Sequence, residues 1–148
     1  MYRTLIAWAA LAVVTIAVLA QADLVASRKA LMGENGKYMY RALPEMLKGA
    51  APYDQAIVDA AFTQMTESAQ KLPALFVAST KDVPPTGRFS ISPKAWDNKA
   101  DLDAKLANYA KVVAEERPKV KNLEALKESY AAVAKTCDSC HESYRVRN

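Results

Sequence analysis

The chain holds two cysteines and one histidine, and all three fall within five consecutive positions, Cys137-Asp138-Ser139-Cys140-His141. Cys-x-x-Cys-His is the attachment signature of c-type haem. Positions i, i+3 and i+4 of a helix share one face, so both thiols can reach the two vinyl groups of the porphyrin while the imidazole reaches the iron. Three other chemistries fit the residues less well. A Cys137–Cys140 disulfide suits an oxidising compartment but leaves the sole histidine unexplained. A thioredoxin-like redox pair expects a βαβ context, and no strand pattern is visible. A zinc site lacks a fourth ligand, since no further Cys or His exists.

With His141 as the first axial ligand and no second histidine, the usual sixth ligand is methionine. Beyond the first residues four are available: Met32, Met39, Met46 and Met65. In an up-down-up-down bundle the first and last helices are antiparallel neighbours. His141 lies seven residues from the C-terminus and Met32 nine residues after Asp23, so flush ends put the two in one layer. Met39 then sits roughly 10 Å further down the bundle and Met46 roughly 20 Å, at a rise of 1.5 Å per residue. Met32 is therefore the candidate ligand on the first helix, against the alternative that it fills core space as flexible methionines do.

Two arginines are candidate cofactor contacts. Arg28 precedes Met32 by one turn on the same face, and an arginine on an apolar stripe wants an anion. A haem propionate would serve; otherwise its stem snorkels to solvent. Arg145 follows His141 by four residues and either shields the histidine, pairs with a propionate, or is a charge on a frayed end. Gly33 and Gly36 either admit the porphyrin close to the helix or merely weaken it. Trp96, about 120° round its helix from the apolar stripe, edges either the cofactor pocket or the core.

These residues need helices to position them, and the composition supplies helices. The 148 residues are 51% hydrophobic, rich in Ala and with only four glycines, a balance that favours helix over strand. The length suits one domain. A first helix is expected from about Leu24 to Lys48, with Leu24, Leu31/Met32, Met39, Leu43 and Met46 on one stripe and a kink at Pro44. The second starts near Asp54, with Val58, Phe62, Met65, Ala69 and Leu72 in register, and Pro73 either ends it or bends it into a short extra turn through Phe76. Residues 77–92 read as a long loop around Pro84-Pro85-Thr86-Gly87, a length that is either functional or mobile and offers a candidate partner surface. Ser92-Pro93 starts the third helix, which carries Leu102, Leu106, Tyr109 and Val113 and breaks before Pro118. Asn122 caps the fourth, whose stripe runs Leu123, Leu126, Tyr130, Val133/Ala134, Cys137, Cys140/His141 and Tyr144. The expectation is an all-α, antiparallel four-helix bundle with a C-terminal covalent haem.

Residues 1–22 read as a secretory signal peptide: Met1-Tyr2-Arg3, an apolar run from Leu5 to Ala20, then Ala20-Gln21-Ala22 before a mature domain, 23–148. An uncleaved anchor is the rival, but the apolar run falls short of the ~20 residues of a spanning helix. Cleavage removes Arg3 and leaves 19 basic against 16 acidic side chains, a net of +3. The mature protein is thus expected to be soluble, periplasmic and without a membrane span. Basic residues do not cluster with aromatics, so no nucleic-acid surface is expected.

The chain resembles class II cytochromes c, the cytochrome c-prime family and its low-spin relatives. The resemblance rests on Arg28-Lys-Ala-Leu-Met32, on Pro93-Lys-Ala-Trp96, and on Cys137-Asp-Ser-Cys140-His141-Glu-Ser-Tyr-Arg145, with the haem motif C-terminal rather than N-terminal. Leu31-Met32-Gly-Glu-Asn-Gly-Lys and Pro52-Tyr-Asp-Gln-Ala look closer to the low-spin branch. The resemblance implies thioethers at Cys137 and Cys140, His141 as proximal ligand, Arg28 near the propionates and Arg145 near the histidine. It implies a six-coordinate His/Met electron carrier, or else a five-coordinate protein that binds nitric oxide or carbon monoxide. Peroxidase-like enzymes are disfavoured because a distal histidine is lacking. Homodimers through the first helix are common in the family, and the sequence does not identify a redox partner.

Overall fold

The computed structural model describes residues 21–148, which form four long helices and one small strand pair. Of the signal peptide expected over 1–22, residues 1–20 lie outside the described residues. The first helix, α1, occupies residues 21–47 and is not uniform. Tyr38–Ala42 form a π-turn, and α geometry resumes over Leu43–Leu47. Pro44 explains this. Its ring would clash with the carbonyl four residues back, and the widened turn before it relieves the clash. In place of the kink expected at Pro44, the structure shows a widened turn just before it. Gly49, with φ of 73°, ends the run in the left-handed region.

Helix α2 spans Gln55–Lys71. The Asp54 carboxylate caps it, accepting from the amides of Ala56 at 2.8 Å and Ile57 at 3.3 Å. Its predicted face, Val58, Phe62, Met65, Ala69 and Leu72, is buried throughout, and Pro73 closes it in a 3-10 turn over Leu72–Leu75.

The segment 77–92 is more ordered than its composition suggests. It contains a 3-10 turn at Ala78–Thr80 and a strand, β1, at Phe89–Ile91. β1 pairs antiparallel with β2, Arg145–Arg147, in the register Phe89↔Arg147, Ser90↔Val146, Ile91↔Arg145. The Lys29 ammonium on α1 donates to the Thr86 carbonyl and, at 2.6 Å, to its hydroxyl. Three-residue strands carry no periodic signal, and this pair joins positions far apart in sequence, so the local pattern could not show it.

Ser92 starts the next helical stretch as expected, its hydroxyl accepting from the Lys94 amide at 3.3 Å. That stretch is one turn, Lys94–Asp97, and it breaks at Asn98 before α3 runs over Lys99–Glu116. Asn122 then caps α4, Leu123–Tyr144, accepting from the Ala125 amide at 2.9 Å.

Around the bundle α2 packs on α3, α3 on α4, and the C-terminal part of α1 on α4. Phe62, Leu43, Met46, Met65, Leu102 and Leu126 lie fully buried between them, each stabilising by roughly 1.5–3 kcal/mol on transfer from water. The all-α antiparallel bundle is as expected, with the β1–β2 clip as an addition. Leu123, the first residue of α4, departs from its predicted stripe: it is 42% exposed. Among the described residues no helix is long and apolar enough to cross a membrane.

Candidate functional site

Cys137, Cys140 and His141 occupy the last two turns of α4, half-buried, with both cysteines packed against the edge of the core. Both are free thiols. Burial, and then the neighbouring Asp138, push the Cys137 thiol up to about 11; burial also pushes Cys140 up. Both shifts favour the protonated thiol. Burial pushes His141 below its ordinary value, Arg145 adds to the effect, and Asp138 opposes it. The imidazole is thus held neutral, the form in which it binds a metal.

Above this face a polar chain ties three helices. Tyr109 of α3 donates its hydroxyl to the Met65 carbonyl at 3.2 Å and accepts from Asn35 Nδ2 at 3.3 Å. Ser68 Oγ of α2 donates to Asn35 Oδ1 at 3.0 Å. Burial, and then the nearby Cys137, push the Tyr109 phenol well above its usual value. Met32 is half-buried on α1 and packs against the core. A Cβ at Gly33 would meet open space, so protein packing does not require glycine there.

Arg28 does not snorkel. It is 8% exposed, and its guanidinium lies 4.8 Å from the Phe76 ring centroid and 5.9 Å from that of Trp96. Nη1 donates to the Leu75 carbonyl at 3.2 Å. Among the described residues no ion pair includes it, and burial lowers its pKa. A guanidinium has five N–H donors, and a buried one calls for an anion. Trp96 is half-buried and donates Nε1 to the Val77 carbonyl at 2.9 Å, so it packs both the arginine and the chain that leaves α2.

Arg145 is not a frayed helical charge. α4 stops at Tyr144, and Arg145 has extended geometry in β2. Its guanidinium stacks 4.7 Å from the Phe89 centroid. Phe76 and Phe89 were missed by sequence reasoning. Only their proximity in the chain to the proline breaks hinted that they lie on segments returning to the site.

The residue set fits a covalent haem. Two thiols and a neutral imidazole share one half-buried face, a methionine lies on an adjoining helix, and a buried cation has no carboxylate partner among the described residues. Comparison with known proteins agrees. The sequence profile of the Cytochrome C' family matches residues 23–145. A cytochrome c-556 of Rhodopseudomonas palustris is 42% identical over 146 residues, covering 98% of this chain and 97% of that protein. An NMR-validated structural model of oxidized R. palustris cytochrome c556 superposes with a TM-score of 0.74 at 40% identity, over 86% of this chain and 98% of that one. The cytochrome c' of the same organism superposes with a TM-score of 0.75 at 33% identity, over 84% and 96%.

This fold with this site defines a class II c-type cytochrome. The chain belongs to the cytochrome c' family, and its cofactor is covalently bound haem c.

Proposed function

We propose that the protein is an exported mono-haem electron carrier, in which Cys137 and Cys140 would hold the haem through thioethers and His141 and Met32 would ligate its iron. The observation that carries this reading is the half-buried Cys137–Cys140–His141 face on the last two turns of α4. The bound haem supplies an iron that cycles between ferric and ferrous states. The chain's own residues do the rest. The packed bundle limits rearrangement between the two states, and Arg28 offers a buried positive charge to the haem carboxylates.

The choice of Met32 draws support from the register of α1 on α4. Tyr130 reaches the Met39 carbonyl. From that pair His141 lies eleven residues towards one end of the bundle and Met32 seven. The difference of four residues is about one turn, ~6 Å, so the two are not in the single layer that flush ends predict, but a helical side chain leans towards its N-terminal end, which is the His141 end. The likeness to proteins called cytochrome c-556 also favours the carrier over the gas-binding branch. Export draws support from residues 1–22, with their charged start, apolar run and Ala20-Gln21-Ala22, and the family profile begins at residue 23.

The test is the ferric optical spectrum of the exported holoprotein. A methionine–iron charge-transfer band at the red edge, lost in Met32→Ala, is the expected result. A high-spin ferric spectrum that responds to nitric oxide would replace the carrier by a five-coordinate gas binder. Intact mass should show the porphyrin added to a chain that starts near Asp23.

A further inference from the structure

We propose that Phe89 is a positioning residue: its ring holds the Arg145 guanidinium beside His141, so that the β1–β2 clip sets the charge next to that imidazole. The inference rests on His141 being the haem ligand.

An exposed arginine without an ion partner ordinarily samples many rotamers in water, and ordering it costs entropy. Arg145 is exposed, and among the described residues it makes no ion pair. Its guanidinium nevertheless lies 4.7 Å from the Phe89 centroid, with that of Arg88 5.2 Å from the same centroid. Such a cation–π contact at an exposed site stabilises by roughly 0.5–1 kcal/mol.

The backbone fixes the partners. Residues opposite each other in an antiparallel pair point to one side, and the register Phe89↔Arg147, Ile91↔Arg145 puts these four side chains on a common face. Both ends of the clip are tied. The Ser92 amide donates to the Tyr144 carbonyl at 2.7 Å, the Asn148 amide to the Arg88 carbonyl at 3.1 Å, and Asn148 Nδ2 to the Gly87 carbonyl at 2.7 Å.

This face opens onto a depression of about 290 Å³ that Phe89 and Arg145 share with His141, Asp138, Glu142 and Arg147. The depression is therefore a mixed field of two carboxylates and two guanidiniums, and Phe89 settles which cation stands near the imidazole. A cation held there disfavours the ferric state, which carries one more positive charge than the ferrous state. The clip thereby raises the reduction potential.

The test compares holoprotein variants by spectroelectrochemical titration at low and high salt. Phe89→Ala should lower the potential at low salt by the equivalent of about a threefold change in the ferric-to-ferrous ratio, the scale of one partly screened charge. High salt should shrink the difference. Phe89→Trp, which keeps a ring under the guanidinium, should retain the wild-type value. In an Arg145→Gln background Phe89→Ala should do nothing further. An unchanged potential in Phe89→Ala, or an equal fall with Arg145 already removed, overturns the proposal. NMR of the ferrous holoprotein, wild type against Phe89→Ala, supplies a readout other than the potential. Arg145 side-chain protons should be displaced by the Phe89 ring current, and their absence from that field overturns the stack even if the ligand assignment stands. A polypeptide without porphyrin would instead defeat the electron-carrier reading on which this inference rests.

Discussion

The Tyr130 hydroxyl on α4 donates at 2.9 Å to the Met39 carbonyl on α1, inside the π-turn. The Leu43 amide, four residues on from Met39, bonds instead to the Tyr38 carbonyl. The residue five on is Pro44, which has no amide. Pro44 and the widened turn together orphan the Met39 carbonyl, and a hydroxyl from another helix satisfies it. Tyr130→Phe should therefore cost about 1–2 kcal/mol, the penalty for a polar group left without its partner at a half-buried site. Urea unfolding of the holoprotein measures it. Pro44→Ala restores an amide that can reach back, so in that background Tyr130→Phe should cost less. Equal costs in the two backgrounds would deny that the proline creates the need.

How much of this was legible follows from the range of each interaction. The faces of α2 and α3 were readable because helical period is a local property: Val58, Phe62, Met65, Leu102, Leu106, Tyr109 and Val113 are all buried as the spacing requires. The haem motif was readable because its three residues lie within five positions. Pro44 announced a distortion, but its form and its seat at Tyr38–Ala42 depend on which carbonyls find partners on α4. The stack of Arg28 on Phe76 and Trp96 joins three segments, and the pairing of Phe89 with the strand of Arg145 joins two. Neither has any signature in a window of sequence. Arg28 was legible as a cation in the wrong place, yet its aromatic seat was not.

That seat gives a prediction on pH. A carboxylate beside a guanidinium has its pKa lowered, and loses that lowering when the cation goes. If Arg28 serves a haem propionate, Arg28→Met keeps most of the apolar contact with Phe76 and Trp96 but removes the charge. The ionisation that couples reduction potential to pH should then move up by about one unit. Potentiometric titration of both proteins across ~pH 3–7, a range that brackets the ordinary carboxyl value, reads this directly. An inflection that stays in place would remove Arg28 from the propionates.

The polar chain through Tyr109 predicts a cost in stability rather than in redox behaviour. Tyr109→Phe deletes the group that both receives the Asn35 amide and donates to the Met65 carbonyl. Asn35 is half-buried, so its stranded donor should cost about 1–2 kcal/mol. Chemical denaturation should show the loss, and the optical spectrum should stay that of wild type.

Tyr144 closes α4 directly after the haem motif and supplies an alkaline signature. Its hydroxyl donates to Asp101 Oδ2 at 2.6 Å and lies 3.5 Å from the Asn98 carbonyl. The bond to the Asp101 carboxylate is the larger cause, and burial the next, in pushing the phenol up to about 12. An unfolded tyrosine ionises near its ordinary value of about 10. The folded state therefore favours the protonated phenol. Its contribution is fully present below ~pH 10 and is lost as pH rises from ~10 to ~12, since there the unfolded chain releases a proton that the folded chain retains. Burial raises the phenols of Tyr109 and Tyr130 as well, so part of the alkaline slope belongs to them. Tyr144→Phe should lower the thermal midpoint at neutral pH, by about 1 kcal/mol in stability, and should also flatten the fall between ~pH 10 and ~12. Melting followed by far-ultraviolet circular dichroism across that range is the check: parallel curves for the two proteins would mean that the Tyr144–Asp101 bond does not govern the titration.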